Sequence, residues 1–303
     1  MNNDIEMIPA VVIGYRREEN ISSILEKVIQ TGRRVYVFVD GARDELAKDD
    51  VANVQNRVLG FRESVTKYFF SNENIGVGNS VPEALNWVFS FESEVIVLED
   101  DCIPSDASFS FFDQMISKVN GRVALISGSS PSRWDGARKS ENIVPSRYPL
   151  IWGWATSKAS WNVISKYISS NIGIGDALKL ILKDPKFIVP FCYFLAAYIN
   201  IRRDKLKAWD SLIVLNMLVN KKYCLIPPYS MITNIGNDAV ASHDMIDKSQ
   251  VSVKEDKNIP PLKKMVISNN KQDSNDLEEI ISKTIYRMRF WNILSPIKAL
   301  ISR

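Results

Sequence analysis

VIVLEDDCIPS, residues 95–105, is the stretch on which the reading of the fold turns. Its first four residues are apolar, and three consecutive carboxylates follow: Glu99, Asp100 and Asp101. A short unbroken apolar run that ends in turn signals reads as a strand buried on both faces, as in parallel sheets. Carboxylates this close repel one another, and nothing in the neighbouring sequence neutralises them. Two resolutions exist. One is a solvated acidic turn that closes the strand. The other is a hard divalent cation, Mn2+ or Mg2+, held by oxygen ligands. Such an ion keeps few protein carboxylates and takes its remaining ligands from water and phosphates, so this second reading implies a bound diphosphate.

Outward from this strand, the first half of the chain alternates strand and helix patterns. AVVIGY (10–15), RVYVFVDG (34–41), VTKYFFS (65–71), EVIVLEDD (94–101) and GRVALISG (121–128) read as strands. Between them, NISSILEKVIQTG (20–32) has Asn20 as a candidate N-cap, helical apolar spacing and Gly32 as a stop. Residues 45–60 form a second helix candidate. A third, SVPEALNWVFSF (80–91), carries Pro82 in its first turn, where proline is tolerated. DASFSFFDQMISKV reads as a fourth helix. Strands separated by helices of this length predict βαβ units and a mostly parallel α/β sheet flanked by helices. Ligands in such sheets bind beyond the carboxyl ends of the strands. Tyr15 and Arg16, Asp40, and the acidic block all fall there.

The second half is less regular. Residues 129–150 read as a polar loop, helical patterns run from about 174 to 220, and 221–236 as two short strands around Pro227-Pro228. Residues 247–280 read as polar and loop-rich. The stretch 281–303 has five basic residues and no acidic ones. With large apolar side chains beside those charges, it suits an anionic membrane surface or a helix packed on the body.

Composition bounds the classes. At 303 residues, with 46% hydrophobic and 24% charged residues, the chain suits one large folded domain or two small ones. A net charge of +3 gives no support to a nucleic-acid partner. Three separated cysteines, Cys102, Cys192 and Cys224, form no CxxC pair and suit a reducing compartment. The start of the chain lacks a signal-peptide pattern. The longest apolar run, residues 187–199, is shorter than the roughly 20 residues a spanning helix needs. These features predict a cytoplasmic protein, peripheral on the inner membrane face if 281–303 binds lipid. The organisation expected is a catalytic domain over 1–245 and a helical C-terminal extension over 246–303.

The ordered set VVIGYRREENISSILEKV, VYVFVDGARD, NENIGVGNSVPEALNWVF and VIVLEDDCIPSDASFSFF resembles the GT-A glycosyltransferases. The likeness is to the family 2-like bacterial enzymes and to the N-acetylglucosaminyltransferase I group, whose metal motif also reads Glu-Asp-Asp. It spans about residues 8–245. The resemblance implies a Rossmann-like GT-A fold, a UDP- or GDP-sugar donor, and a glycan or lipid-linked glycan acceptor in bacterial surface polysaccharide synthesis. It implies Asp101 as metal ligand, Glu99 and Asp100 facing the ribose or donor sugar, and Tyr15, Arg16 and Asp40 around the nucleoside. Asn74 and Gly76, in NENIGVGNS, would line the donor site. Trp152, Gly153 and Trp154 match the acceptor- and donor-side segment, where the tryptophans would stack on sugars or pack in the core.

The resemblance also implies a carboxylate base for an inverting displacement. Asp210 in KAWDSLIVLN is the candidate, with Asp204 and Asp135 in reserve. Asp before an apolar helical run is equally a good N-cap, and the two roles are compatible. His243, the lone histidine, would be a second metal ligand by its place in the order. Two other readings are a sugar-nucleotide nucleotidyltransferase, for which GYRREEN offers only one glycine after the first strand, and an inactive membrane-associated binding protein of the same fold.

Overall fold

The computed structural model describes residues 6–131, 141–169, 188–203, 209–236, 259, 262 and 265–301. The strands of the first half are β1 (Ala10–Gly14), β2 (Val35–Val39), β3 (Lys67–Phe70), β4 (Glu94–Glu99), β5 (Cys102–Pro104) and β6 (Val123–Ser127). Helices α1 (Glu18–Gln30), α2 (Lys48–Gly60), α3 (Val77–Val88) and α4 (Asp106–Met115) alternate with them. Then come β7 (Asn142–Ser146), β8 (Trp154–Ser157), α5 (Lys158–Ile164), α6 (Lys166–Ser169), α7 (Ile188–Arg202) and α8 (Trp209–Val219). The remainder comprises β9 (Tyr223–Ile226), β10 (Ile232–Asn234), β11 (Val266–Ile267), α9 (Lys271–Thr284) and α10 (Ser295–Ile301).

Among the described residues the main sheet has nine strands in the order β11-β7-β9-β6-β8-β4-β1-β2-β3. Pairings β3-β2, β2-β1, β1-β4 and β6-β9 are parallel, whereas β8 runs antiparallel between β4 and β6. This is the mostly parallel α/β sheet expected. It is covered on both faces, as β1 shows: Val11 and Ile13 enter a core with α3, α5, α7 and α8, while Ala10 and Val12 enter one with α1, α2 and α4. The exception is the edge strand β3, where Tyr68 and Phe69 are exposed.

Register sets the level of the site. Gly14 of β1 pairs with Val39 of β2, and Ile13 with Glu99 of β4. Three parallel strands therefore end together, and Tyr15, Asp40 and Asp100 emerge side by side. A second, two-stranded sheet pairs β5 with β10, Cys102 facing Asn234. It fastens the residues just after the acidic block.

Several boundaries differ from expectation. α1 begins at Glu18 with Arg17 at its cap, so Asn20 lies inside the first turn. The acidic Glu18 and Glu19 favour that start by complementing the helix dipole. α3 begins at Val77 behind Gly76, which puts Pro82 in the helix interior rather than its first turn. The 129–150 segment contains a strand, β7, and 247–280 contains most of α9, capped by Asn270 accepting from the Gln272 N–H at 3.0 Å.

Described residues past 245 share the body of the molecule. β11 extends the sheet beside β7, and Leu277, Ile281 and Met288 join the core that includes Val144, Tyr148 and Cys224. Glu278 of α9, buried, forms an ion pair with Arg147 and accepts from its backbone N–H at 2.8 Å.

Candidate active site

Asp100 is the best-anchored of the three carboxylates. It accepts from the Tyr15 backbone N–H at 3.1 Å and from Arg17 Nη1 at 2.6 Å. The turn after β1 is thereby tied to the turn after β4. Loss of solvent pushes Asp100 up to about 6; Arg17 pulls it down and Asp101 adds to the rise. Glu99 is pushed well above the carboxylate range, first by burial and then by Asp101, Asp100 and Asp210, with only Arg17 opposing. Burial first, then Asp101 and Glu99, drive the Cys102 thiol upward, and its Sγ lies 3.1 Å from Asp101 Oδ1.

Asp101 faces the second sheet. Its backbone carbonyl accepts from the Ile235 N–H at 2.8 Å. A Cβ on Gly236 would lie 2.4 Å from Asp101 Oδ2. A side chain at Gly236 would have to displace that carboxylate, and His243 lies seven residues further on. His243, Asp204 and Asp135 fall outside the described residues.

Asp210 lies in the first turn of α8, half-buried. Its charge is felt by Glu99, by Tyr193 of α7 and by Tyr286 beyond α9. Both tyrosines are pushed up by burial first and by Asp210 next. Their rings, 6.4 Å apart, edge against Phe194. Four carboxylates from two distant parts of the sequence thus share one electrostatic neighbourhood at the carboxyl end of the sheet.

Asp40 has a different task from the one expected. It is buried, and Oδ1 accepts from the N–H groups of Gly41 and Ile75 at 2.9 and 3.0 Å. Oδ2 accepts from the Gly76 N–H, Ser80 Oγ and Asn74 Nδ2 at 2.9, 2.8 and 3.1 Å. Five donors fill the carboxylate, so Asp40 is a clasp for the 71–76 loop rather than a group free to hold a nucleoside. Asn74 joins the clasp and also donates to the Gly41 carbonyl at 2.8 Å. Gly76 adopts φ +75°, which a side chain would strain, so its role is to turn the chain into α3.

Arg16 points away from the acidic block. Its Nε and Nη2 donate to Asp50 of α2 at 2.8 and 2.5 Å, and the neighbouring Arg17 makes the contact instead. Trp154 is core: 1% exposed, its ring lies 6.2 Å from Trp161 and 6.5 Å from Trp209. Burial removes it as a sugar platform. Gly153, at φ +62°, lies against Ile232, where a Cβ would clash at 2.6 Å. Trp152 is half-buried beside it, its carbonyl accepting from Ser129 Oγ at 2.5 Å.

The glycine that ends β1 serves packing: a Cβ on Gly14 would sit 2.4 Å from Ile21 Cδ1 of α1. It forms no phosphate-cradling loop of the nucleotidyltransferase kind.

Among the described residues, no group of three or more His, Cys, Asp or Glu side chains is placed to hold a metal ion by itself. The donor set instead fits a hard divalent ion that keeps one or two carboxylates and takes its other ligands from water and phosphate. A local excess of negative charge, opposed by Arg17, favours such a cation.

Comparison with known proteins gives low-identity matches among solved structures. No family model matches the chain, and no curated relative does. Among solved structures, Staphylococcus aureus TarS is 14% identical with a TM-score of 0.41, covering 73% of this chain and 35% of its own. A TarS 1–349 structure is 12% identical, with a TM-score of 0.42, covering 97% and 71%. The mannosyltransferase PcManGT from Pyrobaculum calidifontis, in complex with GDP-Man and Mn2+, is 10% identical, with a TM-score of 0.42, covering 70% and 69%. The chain spans about a third of the length of the full TarS structure.

Proposed function

We propose that the chain is a metal-dependent glycosyltransferase that moves a sugar from a UDP- or GDP-sugar to a hydroxyl of a glycan or lipid-linked glycan acceptor. The observation that carries this is the convergence of Glu99, Asp100, Asp101 and Asp210 at the carboxyl ends of parallel strands, with Arg17 as their cationic partner. Residues 1–245 are proposed as the catalytic portion and 246–303 as a C-terminal extension.

Each residue has a distinct task in this reading. Asp101, with His243, would hold Mn2+ or Mg2+; bound there, the ion supplies neutralisation of the leaving diphosphate. The close approach of Gly236 to Asp101 supports the pairing, because the chain leading to His243 starts beside that carboxylate. Glu99 and Asp100 would face the ribose or donor sugar, with Tyr15 and Trp152 lining the same end of the sheet. Asp40, Asn74 and Gly76 act on the donor through the loop they brace.

Asp210 would take the proton of the acceptor hydroxyl as its oxygen bonds to the anomeric carbon and the bond to the diphosphate breaks, with inversion. Synthesis of a bacterial surface polysaccharide, on the cytoplasmic side of the membrane, is the setting that suits these substrates.

Thermal unfolding with a nucleotide panel, with and without Mn2+, tests the reading. UDP or GDP should stabilise the chain only with metal, and Asp101→Ala should remove the effect. Stabilisation by triphosphates alone would favour a nucleotidyltransferase, and indifference to every nucleotide would overturn the site.

A further inference from the structure

α10 turns its apolar face outward. Ile297, Leu300 and Ile301 are 54%, 56% and 73% exposed, and Leu294, just before the helix, is 52% exposed. Spacing of three and four residues puts them on one side. The other side is committed to the protein: Ala299 is buried, and Arg203, after α7, donates to the carbonyls of Ala299 and Leu300 at 2.7 and 3.0 Å. Adjoining aliphatic side chains left in water mark a surface that meets a partner.

Charge selects the partner. The packed pair α7 and α10 holds no Asp or Glu, and the exposed Arg202, Arg203 and Lys298 lie on it or directly after α7. An apolar ridge bordered by cations matches a bilayer interface, with acyl chains beneath anionic headgroups. Among the described residues no helix is long and apolar enough to cross a membrane, so the contact is interfacial.

We propose that α10 is a docking face for anionic lipid membranes, with Ile297, Leu300 and Ile301 entering the acyl boundary and Lys298 facing headgroup phosphates. The docking stands apart from the chemistry of the site, but its use rests on the transferase reading. α7 carries Tyr193 beside Asp210 and ends at the Arg202–Arg203 contact with α10. Ten residues at 1.5 Å rise place these points about 15 Å apart along the helix. A lipid-linked acceptor would then be offered from the surface on which the enzyme rests.

Vesicle co-sedimentation of the full chain, without nucleotide, tests the proposal. Phosphatidylcholine vesicles with about a quarter phosphatidylglycerol should carry down the chain about fivefold more than pure phosphatidylcholine, and 0.5 M salt should weaken that preference. The double variant Ile297→Glu/Leu300→Glu, and separately Lys298→Glu, should reduce binding while keeping the wild-type far-UV circular dichroism. Absence of binding to anionic vesicles would overturn the proposal, as would undiminished binding by the double variant. So would a dimer in light scattering that the double variant dissolves while vesicles are ignored, which would assign the face to a second copy. Nucleotide-dependent thermal stabilisation of the same samples reports the transferase reading separately.

Discussion

At the residue scale, the acidic block is costly in the absence of a cation. Glu99 has its pKa raised in the folded state, so its charged form is penalised by folding. Below its unfolded pKa, Glu99 is protonated in both states and costs nothing; the cost grows as pH rises through the folded value. In the presence of EDTA, Glu99→Gln should therefore unfold at a higher temperature than the wild type at pH 7.5, by about 1–3 °C. The gap should close towards pH 4, as a pH series of melting curves will show. The same variant should bind nucleotide with metal less well, because removing the repulsion also removes part of the field that attracts the ion. Asp40 is a contrasting residue. Asp40→Ala leaves three backbone N–H groups and two side-chain donors without their acceptor, and should cost about 3 kcal/mol in urea unfolding. Asp40→Asn should cost less, since one oxygen survives.

Elements bring these residues together. β10 pairs with β5 directly after the block, and Gly236 lies against Asp101. In Gly236→Ala the new methyl group must displace the Asp101 carboxylate, which can rotate. The fold should therefore survive within about 2 °C of the wild-type melting temperature while metal-dependent nucleotide affinity, measured by calorimetry, falls at least about tenfold.

This is also the scale at which the sequence was most and least informative. β1, β2, β4 and β6 were legible because each is an apolar run between turn signals, and their order placed the acidic block at a ligand-binding edge. β7 was not: NIVPS is short, half polar and broken by Pro145, and its pairing with β9 and β11 is a long-range contact that no local pattern encodes. α9 was missed because its buried face rests on Leu277 and Ile281 within an otherwise polar segment. At the site, position after a strand end drew attention to the acidic block as a whole, whereas the separate roles of Asp101 and Asp210 are what the resemblance implies. The choice between Arg16 and Arg17 depends on which one faces back across the helix cap, and adjacent arginines in a sequence do not reveal that. Tyr193 and Tyr286 reach the neighbourhood of Asp210 only through the packing of α7 and α9, far from any motif.

For the whole molecule, the C-terminal elements and the sheet stand or fall together. Glu278 and Arg147 join α9 to the end of β7, and the rings of Tyr148, Phe194 and Tyr286 pack in tilted and edge-on contacts behind them. Glu278→Ala leaves Arg147 without its main partner in a mostly buried setting and should lower stability by about 2–4 kcal/mol, read from denaturant unfolding. The loss should reach Tyr286 and hence the Asp210 wall of the site. The most direct test of the central claim is metal-dependent turnover. The full chain should be incubated with a panel of UDP- and GDP-sugars in Mn2+ or EDTA, and release of nucleoside diphosphate measured for wild type, Asp101→Asn and Asp210→Asn. The account predicts release from at least one donor in Mn2+ that EDTA and Asp101→Asn abolish, with Asp210→Asn still binding nucleotide but failing to transfer. Equal release by Asp101→Asn, or the same rate in EDTA, would contradict it.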